Sequence, residues 1–554
     1  MYILLNISQI FKKFLCIFSL FSLTSPEIHG IFNHKVGKKE GLFVENNRGG
    51  WGSNIGFLMA AIGSAVGLGN IWGFPYKMGR SGGFTFLIIY LLLAVFVGFV
   101  IMIGELALGR RTGTGPIGAY HAVSSRFKWI GWLAVFSPFI IMSFYSVLGG
   151  YCIEYMSLNL SNLAFRAAPI SGEDLFSSML TNPWGSVVFT VLFLVICYLI
   201  NRGGISGGIE KFNTVGMPAL FFMLVIIIIK SLSMEGAIEG LKFMFVPGYA
   251  VAGGFIETTP SIGTVLATAG GQMFFSLSLA MGAMITYGSY LSKQENLVKN
   301  SAIIVIADTI VATMAGIAVI PAAVAHGIQQ GIPVGEIALG GPSLLFVTLQ
   351  NVFNSMGDIG ALFGTLFYLL VLIAAISSAI SLVEVVATFF IDRAAQKGRT
   401  ANRGRVVLYV CLAILVEAAL VAFDGLGSNG VWVPGQSLGI AGWNDCWLDF
   451  MDMLSEGLAM PLGALLMGIM VGWEIGPDST LDEVHSGCGR GIDGFFRISI
   501  KFLVPLGMVL VLSGQISEFF GADAATIGYG LGIGICAVGL IAALTSPKRR
   551  ELKK

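Results

Sequence analysis

The chain has 554 residues, of which 55% are hydrophobic and only 11% are charged, and its mean hydropathy is +0.83. Soluble globular domains carry about 25% charged residues, so this composition excludes a chain whose whole surface faces water. The formal net charge of +1 gives no reason to expect a nucleic-acid partner. A membrane-embedded chain is therefore predicted.

Apolar runs decide the domain organisation, because a helix needs about 20 residues to cross about 30 Å of hydrocarbon. Several runs are longer than this, which indicates tilted helices or helices that extend into water. Twelve spans are predicted, at residues 54–76, 84–110, 129–157, 184–201, 208–230, 258–290, 299–323, 358–392, 404–424, 452–474, 496–514 and 524–545. The prediction is one all-α membrane domain at 48–545, between a cytoplasmic N-terminal tail at 1–47 and a basic cytoplasmic tail at 546–554.

The lysines and arginines predict the orientation of these spans. Of those outside residues 1–30, 25 fall in the segments on one side of the membrane, and the other side has five. Cytoplasmic loops carry the excess of positive charge, so both termini are predicted to be cytoplasmic. The five on the opposite side are Lys77, Arg80, Arg166, Lys230 and Lys242.

Residues 1–30 allow two interpretations. Lys12 and Lys13 precede the apolar run LCIFSLFSL, which resembles a short secretory signal. The run is too short to cross a membrane, and cleavage after it would leave residue 31 outside and invert every helix. The charge bias favours the other interpretation, an extended start or a disordered cytoplasmic tail.

The seven cysteines are scattered, and the only one in a predicted outer loop is Cys446. No pair is placed to form a disulfide outside the cell, and no CxxC spacing or histidine cluster accompanies them. Neither disulfides nor a cysteine metal site is predicted.

Two predicted spans contain helix-breaking segments. In the first, Gly67 and Gly69 lie between the polar residues Ser64 and Asn70. In the sixth, Gly270-Gly271-Gln272 precedes the hydroxyl-rich run FSLSLAMG. Each glycine costs about 1 kcal/mol relative to alanine inside a helix. One such span alone is typical of a close helix–helix contact. Broken helices at the first and sixth positions favour inverted five-helix repeats, with substrate and ions bound at the unwound segments.

Acidic residues within spans are further candidates. Asp308, in the seventh span, is a functional-site hypothesis because an unpaired carboxylate at that depth costs several kcal/mol. A sodium ion is its natural partner, since hard oxygen ligands suit a hard cation. Glu105 and Glu384 are interpreted as structural braces. The Ser377-Ser378 pair allows either hydroxyl back-bonding within its helix or ion binding.

The segments GSAVGLGNIWGFPY, GQMFFSLSLAMGAMITYGSY and IAAISSAISLVE occur in this order. Together they resemble the neurotransmitter:sodium symporter family, most closely its bacterial amino-acid transporters, and the resemblance extends from about residue 48 to the C-terminus. It implies twelve helices with a 5+5 inverted repeat, as in the bacterial leucine transporter, with helices 1 and 6 unwound and helices 11 and 12 peripheral. It also implies a prokaryotic inner-membrane protein that imports amino acids with sodium and needs no organic cofactor.

The resemblance implies a substrate pocket and two sodium sites. The pocket residues are Ser64, Ala65, Leu68, Gly69, Ile141, Tyr145, Phe275, Ser276, Ser278, Met281, Ser378 and Leu382. The first sodium site consists of Ala65, Asn70, Ser276 and Asp308, completed by the substrate carboxylate. The second consists of Gly63, Val66, Ala374, Ser377 and Ser378. Tyr145 is expected to bind the substrate carboxylate, and Phe275 to cover the pocket.

Two positions bear on the substrate and on chloride. Gly67 occupies the place where monoamine transporters of the family have an aspartate, so the substrate is expected to bring its own carboxylate. The apolar side chains of Ile141, Met281 and Leu382 favour a hydrophobic or aromatic amino acid. Asp308 replaces a neutral residue of the chloride-requiring animal members, which implies chloride-independent transport.

The resemblance also implies gates. Arg48, Trp51, Tyr290 and Asp392 are the expected inner gate, and Gly208 with Pro218 matches a fifth-helix element thought to unwind. Asp452 is the expected acid of the outer gate, but Gly73 replaces its usual arginine partner. Lys77, one helical turn further, is the candidate substitute.

A membrane enzyme needs a nucleophile with a base or a metal cluster, and none of the five histidines is placed beside a candidate nucleophile. A sensor that binds ligand without transport remains an alternative, as does proton coupling through Asp308. The sequence leaves open the amino acid, the ion stoichiometry and the oligomeric state.

Overall fold

The computed structural model describes residues 50–165, 170–337, 339–341, 343–434, 446–487, 491–520 and 525–546. They belong to one compact unit, Gly49–Lys554. The predicted tail at 1–47, Arg48 and the basic end of the chain lie outside the described residues, apart from Ser546. No β-strand occurs among the described residues, which agrees with the predicted all-α class.

The described residues form twenty helices, and a short 3₁₀-helix at Val334–Glu336 and a π-helical segment at Leu344–Thr348 lie between two of them. In chain order they are α1 (Asn54–Ala65), α2 (Gly69–Arg80), α3 (Phe84–Thr112), α4 (Pro116–Val123), α5 (Ile130–Phe165), α6 (Gly172–Leu180), α7 (Pro183–Asn201), α8 (Ile205–Leu232), α9 (Ala237–Phe245), α10 (Tyr249–Ala252), α11 (Ile262–Ser276), α12 (Ala283–Gly288), α13 (Leu297–Gln329), α14 (Leu349–Ser355), α15 (Gly357–Gln396), α16 (Arg403–Asp424), α17 (Trp447–Glu474), α18 (Pro477–Ser486), α19 (Asp493–Ser517) and α20 (Thr526–Leu544).

Ten of these helices are long and apolar enough to cross a membrane, and each coincides with one predicted span. The first predicted span coincides with α1 and α2, which are bent by 45° at their junction. The sixth predicted span coincides with α11 and α12, and residues 277–282 lie between these two helices. Neither α11 nor α12 alone has the length of about 20 residues that a crossing needs. The count of twelve spans therefore stays a prediction.

Helix ends follow local side-chain chemistry. The hydroxyl of Ser53 caps α1 by accepting from the N–H of Gly56 at 2.9 Å. Asn296 and Asn402 cap α13 and α16 in the same way. Each cap satisfies an amide that has no partner within its helix.

Burial separates central helices from peripheral ones. In α5, α15 and α17, 83% of the most apolar 18-residue stretch is buried inside the protein, whereas in α20 only 22% of this stretch is buried. Large side chains such as Phe222 on α8 and Val538 on α20 are each 68% exposed, which suits contact with lipid. The central helix α15 packs along α5 and also contacts α1, so polar groups on these three helices meet inside the bundle.

Candidate functional site

The junction between α1 and α2 is a buried break in the helix. Val66 has an extended backbone, with φ −78° and ψ 96°. The N–H of Gly67 donates to the side-chain oxygen of Asn70 at 3.1 Å, and the N–H of Leu68 donates to the hydroxyl of Tyr145 at 3.0 Å. Side chains thus satisfy amides that have lost their helical partners, as a buried backbone requires.

The segment between α11 and α12 is a second buried break. Ser278, Ala280 and Gly282 have positive φ angles of 52°, 60° and 73°. For a residue with a side chain this conformation costs about 1–2 kcal/mol, so the surroundings must hold it. The N–H of Ala280 donates to Glu105 Oε1 at 2.8 Å, and the hydroxyl of Ser278 donates to the carbonyl of Ser64 at 2.7 Å. Backbone strain of this kind collects at ligand sites.

A cavity of about 250 Å³ lies between the two breaks. Ten of the twelve predicted pocket residues line it, and Gly67 is an additional lining residue. The lining residues are Ser64, Ala65, Gly67, Gly69, Ile141, Tyr145, Phe275, Ser278, Met281, Ser378 and Leu382. The other two predicted residues do not line the cavity. The N–H of Leu68 donates to the Tyr145 hydroxyl, and the hydroxyl of Ser276 donates to Asp308.

The cavity has a polar wall and an apolar wall. The hydroxyls of Ser64, Ser278 and Ser378 bond to one another or to backbone carbonyls of α1. The apolar part of the lining consists of the side chains of Ile141, Met281 and Leu382, all of them buried. The rings of Phe275 and Tyr145 lie 6.3 Å apart at one end. This arrangement suits a small ligand with a polar end and an apolar end.

The carboxylate of Asp308 is fully buried next to this cavity. The amide of Asn70 donates to Oδ1 at 2.7 Å, and the hydroxyl of Ser276 lies 2.9 Å from each oxygen. The hydroxyl of Tyr90 donates to Oδ2 at 3.0 Å. Among the described residues, no cationic side chain forms an ion pair with Asp308. A charged carboxylate at this depth therefore needs a bound cation, and the surrounding ligands are oxygen atoms.

Sequence reasoning identified Asn70, Ser276 and Asp308 and missed Tyr90. Tyr90 is the one polar residue in the run FLIIYLLLA of α3. This apolar run is the only signal in the sequence for the role of Tyr90. A tyrosine hydroxyl buried in a membrane helix requires a hydrogen-bond partner.

A second group of oxygen atoms lies where α15 crosses α1. The hydroxyl of Ser377 is 3.3 Å from the carbonyl of Val66 and 2.8 Å from that of Ala374. The hydroxyl of Ser378 is 3.3 Å from the carbonyl of Gly63. All five residues predicted for the second sodium site thus meet. In the described part of the chain, no three His, Cys, Asp or Glu side chains cluster as transition-metal ligands.

Comparison with known proteins decides the family. The model of the sodium:neurotransmitter symporter family matches residues 48–170 and 176–545. The chain belongs to this family. Its members are sodium-dependent transporters of the membrane, so this symporter is a polytopic membrane transporter rather than a member of an enzyme family.

Individual relatives support this assignment. An uncharacterized sodium-dependent transporter of Bacillus subtilis, YhdH, is 33% identical over 83% of this chain and 96% of its own length. An uncharacterized sodium-dependent transporter of Haemophilus influenzae is 29% identical over 83% of this chain and 96% of its own length. The crystal structure of MhsT in complex with L-phenylalanine aligns with a TM-score of 0.73 and 30% identity, over 84% of this chain and all of that one.

At the end of the symporter where α1 begins, several predicted gate residues form close contacts. The indole N–H of Trp51 donates to the carbonyl of Tyr287 at 3.2 Å. The hydroxyl of Tyr290 donates to Glu384 at 3.1 Å, and Arg403 forms an ion pair with the same carboxylate. Asp392 accepts from the N–H of Gly115 at 2.8 Å.

Glu384, predicted as a structural brace, links Tyr290 of the predicted gate to Arg403, a residue that the sequence did not indicate. The predicted gate arginine, Arg48, lies outside the described residues.

At the opposite end, the ion pair of Lys77 is with a neighbour of the suggested partner, Asp452. Lys77 forms a buried ion pair with Glu456, one helical turn beyond Asp452. Its ammonium also lies 6.0 Å from the centroid of the Phe275 ring. At Gly73, which replaces the expected arginine, an added Cβ would lie 2.9 Å from Gln272 Oε1, so the end of the Gln272 side chain would have to move. Compared with the expected gate, the cationic side chain lies one turn further along α2, and the anionic side chain lies one turn further along α17.

The predicted unwinding element lies in α8. Gly208 belongs to a wide turn at Ile205–Glu210, and Pro218 lies inside the following α-helix. Glu210 holds the start of α1 by accepting from the N–H of Gly52 at 2.7 Å and the hydroxyl of Ser53 at 3.2 Å. A rearrangement of this turn would therefore act directly on α1.

Proposed function

We propose that this symporter imports α-amino acids with hydrophobic or aromatic side chains, driven by sodium and without a chloride requirement. The observation that carries the proposal is the buried Asp308 carboxylate, held by hydroxyl and amide groups beside a small cavity, with no cationic side chain from the described part of the chain bound to it.

The walls of the cavity support an amino acid as the substrate. The Tyr145 hydroxyl accepts from the N–H of Leu68, and its own proton would donate to the substrate carboxylate. Gly67 offers no fixed anion for an amine. Ile141, Met281 and Leu382 would contact the apolar side chain, and the adaptable shape of Met281 suits more than one amino acid. The phenylalanine bound to the related MhsT agrees with this class.

Two sodium ions are proposed as co-transported substrates. The first would bind to the Ala65 carbonyl, Asn70, Ser276 and Asp308, together with the substrate carboxylate. The second would bind to the carbonyls of Gly63, Val66 and Ala374 and the hydroxyls of Ser377 and Ser378. Because the substrate carboxylate would be a ligand of the first ion, sodium and substrate must raise each other's affinity by the same factor.

The proposed transport cycle is alternating access within a twelve-helix, 5+5 inverted-repeat fold, with helices 1 and 6 unwound at α1/α2 and α11/α12 and with both termini in the cytoplasm. The Lys77–Glu456 pair would close the outer side above Phe275, with Asp452 one turn away. Trp51, Tyr290, Asp392 and the Glu384–Arg403 pair would close the inner side.

Uptake by purified protein in liposomes tests this function. Radiolabelled leucine, phenylalanine, tryptophan, glutamate and dopamine would be offered with an inward sodium gradient, with potassium in place of sodium, and with chloride replaced by gluconate. We expect accumulation of the apolar amino acids with sodium alone, the same rate without chloride, and no accumulation of dopamine.

Other outcomes would revise specific parts of the proposal. A strict chloride requirement contradicts the role given to Asp308. Accumulation driven by a proton gradient without sodium contradicts the ion sites but leaves the pocket. Binding of an amino acid by folded protein without flux favours a sensor.

A further inference from the structure

Asn213 on α8 is a buried polar residue that the proposed function does not use. Its side chain is 0% exposed. The Nδ2 group donates to the carbonyl of Ile209, one turn earlier in the same helix, at 2.9 Å. The side-chain oxygen Oδ1 is also buried, and it accepts no hydrogen bond from any residue that the structure describes. Because a buried oxygen without a partner is costly, a residue that only filled this space would more favourably be apolar.

The orientation of this carboxamide follows from its neighbours. The carbonyl of Ile209 can only accept a hydrogen bond, so the amide nitrogen must face it and the oxygen must point the other way. The oxygen lies against Gly63 of α1, because a Cβ added to Gly63 would be 1.9 Å from Asn213 Oδ1. Any side chain at residue 63 would therefore displace this oxygen, whereas glycine leaves room for it.

This contact lies beside the second group of oxygen atoms. The Cβ of Ser377 is 3.2 Å from the same point at Gly63, so α1, α8 and α15 meet there. The carbonyl of Gly63 and the hydroxyl of Ser377 both belong to the group proposed to bind the second sodium ion. The five residues of that group come from α1, α15 and the break after α1, so Asn213 brings an oxygen from a third helix.

We infer that Asn213, through Oδ1, is a further oxygen ligand of the second sodium ion. This inference rests on the proposed sodium sites and extends them to α8. A carboxamide oxygen suits a hard cation, as do the carbonyls and hydroxyls already assigned to the site. A bound cation would also satisfy the one polar atom of this side chain that no described residue satisfies.

A ligand on α8 links the ion to the predicted unwinding element. Asn213 lies between Gly208 and Pro218, the two residues that mark this element. A rearrangement of α8 would therefore withdraw one oxygen from the ion, and the second sodium ion would be held less tightly as α8 unwinds.

Equilibrium binding of radioactive sodium to the purified full chain, without any amino acid, tests this inference. Without substrate the first site lacks one of its proposed ligands, so binding mainly reports the second site. Asn213→Leu keeps the approximate size of the side chain and removes the oxygen. We expect its dissociation constant for sodium to rise about fivefold, which is the scale of one polar contact.

A second variant distinguishes a ligand from a residue that only supports the fold. Asn213→Asp keeps an oxygen and adds a negative charge, so it should bind sodium at least as tightly as the unmodified protein. A supporting role would give the opposite result, because an isolated charge in the interior is destabilising. Weaker sodium binding in Asn213→Asp overturns the inference, and this variant decides the question if Asn213→Leu does not fold.

Thr214→Val is the matched control on the same helix. Thr214 is exposed, and its hydroxyl donates to the carbonyl of Glu210, one turn earlier in α8, at 2.8 Å. The variant removes a polar group that has the same kind of local bond as Asn213 but faces away from the bundle. Its affinity for sodium should equal that of the unmodified protein, and a fivefold loss here would overturn the inference.

Ser377→Ala separates this inference from the proposed function. Weaker sodium binding in Ser377→Ala, with unchanged binding in Asn213→Leu, would overturn the role of Asn213 and leave the second sodium site in place. Unchanged binding in both variants, or no sodium binding by the folded unmodified protein, would overturn the proposed site together with this inference.

Discussion

At the scale of single residues, Asp308 has the largest predicted effect on ion binding. It is a carboxylate in a dry interior, where removing a charge beside a bound cation changes the affinity steeply. Asp308→Asn keeps an oxygen ligand and loses the charge. We therefore expect the sodium concentration for half-maximal substrate binding to rise at least about tenfold, as a loss of roughly 1.4 kcal/mol would produce.

Scintillation proximity binding over a sodium titration measures this change. Addition of chloride should partly restore binding in Asp308→Asn and have no effect on the unmodified protein. The matched control is Asp358→Asn, because Asp358 is an exposed acid near the start of α15. An unchanged sodium dependence in Asp308→Asn would remove Asp308 from the sodium site.

The Lys77–Glu456 pair gives a second prediction at this scale. Removing one member of a buried ion pair leaves an uncompensated charge and costs about 3–5 kcal/mol, whereas removing both is far less damaging. Lys77→Met and Glu456→Gln should each lower the thermal midpoint and speed substrate release. The double variant should recover most of both losses.

A double-mutant cycle on thermal stability and on the substrate dissociation rate measures this coupling. Asp452→Asn combined with Lys77→Met is the matched comparison, because Asp452 lies one turn from Glu456. We expect a smaller coupling for Asp452. A larger coupling of Lys77 to Asp452 than to Glu456 would return the gate to the partner that the sequence suggested.

At the scale of elements, the break between α11 and α12 depends on one acid from α3. Glu105 accepts from the N–H of Ala280, which is held at a positive φ of 60°. An unsatisfied buried amide costs about 1–3 kcal/mol. Glu105→Gln still offers an oxygen to this N–H and should retain substrate binding, whereas Glu105→Leu should lose it and lower the thermal midpoint.

Substrate affinity and thermal denaturation of the two variants measure this effect. If Glu105→Gln lost binding as completely as Glu105→Leu, the charge of Glu105 rather than its hydrogen bond would be the requirement. Equal retention by both variants would show that the segment holds its conformation without α3.

At the scale of the whole molecule, the positive charges predict which end of the bundle faces the cytoplasm. In a variant without its natural cysteines, a cysteine at Thr181 should react with a membrane-impermeant maleimide in intact cells. A cysteine at Gly398 should react only after permeabilisation. Thr181 follows α6, and Gly398 lies in the loop after α15, which belongs to the lysine- and arginine-rich side. The reverse labelling would support cleavage of a signal within residues 1–30.

Much of the fold and of the site follows from the sequence, because the relevant properties are local. Hydropathy over about 20 residues located the spans that coincide with the ten membrane-length helices. Glycines beside polar residues marked both breaks, since a backbone that leaves the helix inside a membrane needs nearby partners. A lone acid in an apolar run, Asp308, by itself indicates an ion site.

The remaining contacts depend on how separate helices align, which composition and spacing do not determine. Asp452 and Glu456 lie on one helix a turn apart, and only the placement of α17 relative to α2 decided that Lys77 contacts Glu456. In the same way, packing placed Tyr90 on Asp308 and Arg403 on Glu384. The cavity at the two helix breaks is lined by residues of α1, α5, α11 and α15, so no single segment of the sequence contains it. The sequence by itself determined which residues must find buried partners, and the tertiary structure decided which partners they found, because a shift of one helical turn exchanges one neighbour for another.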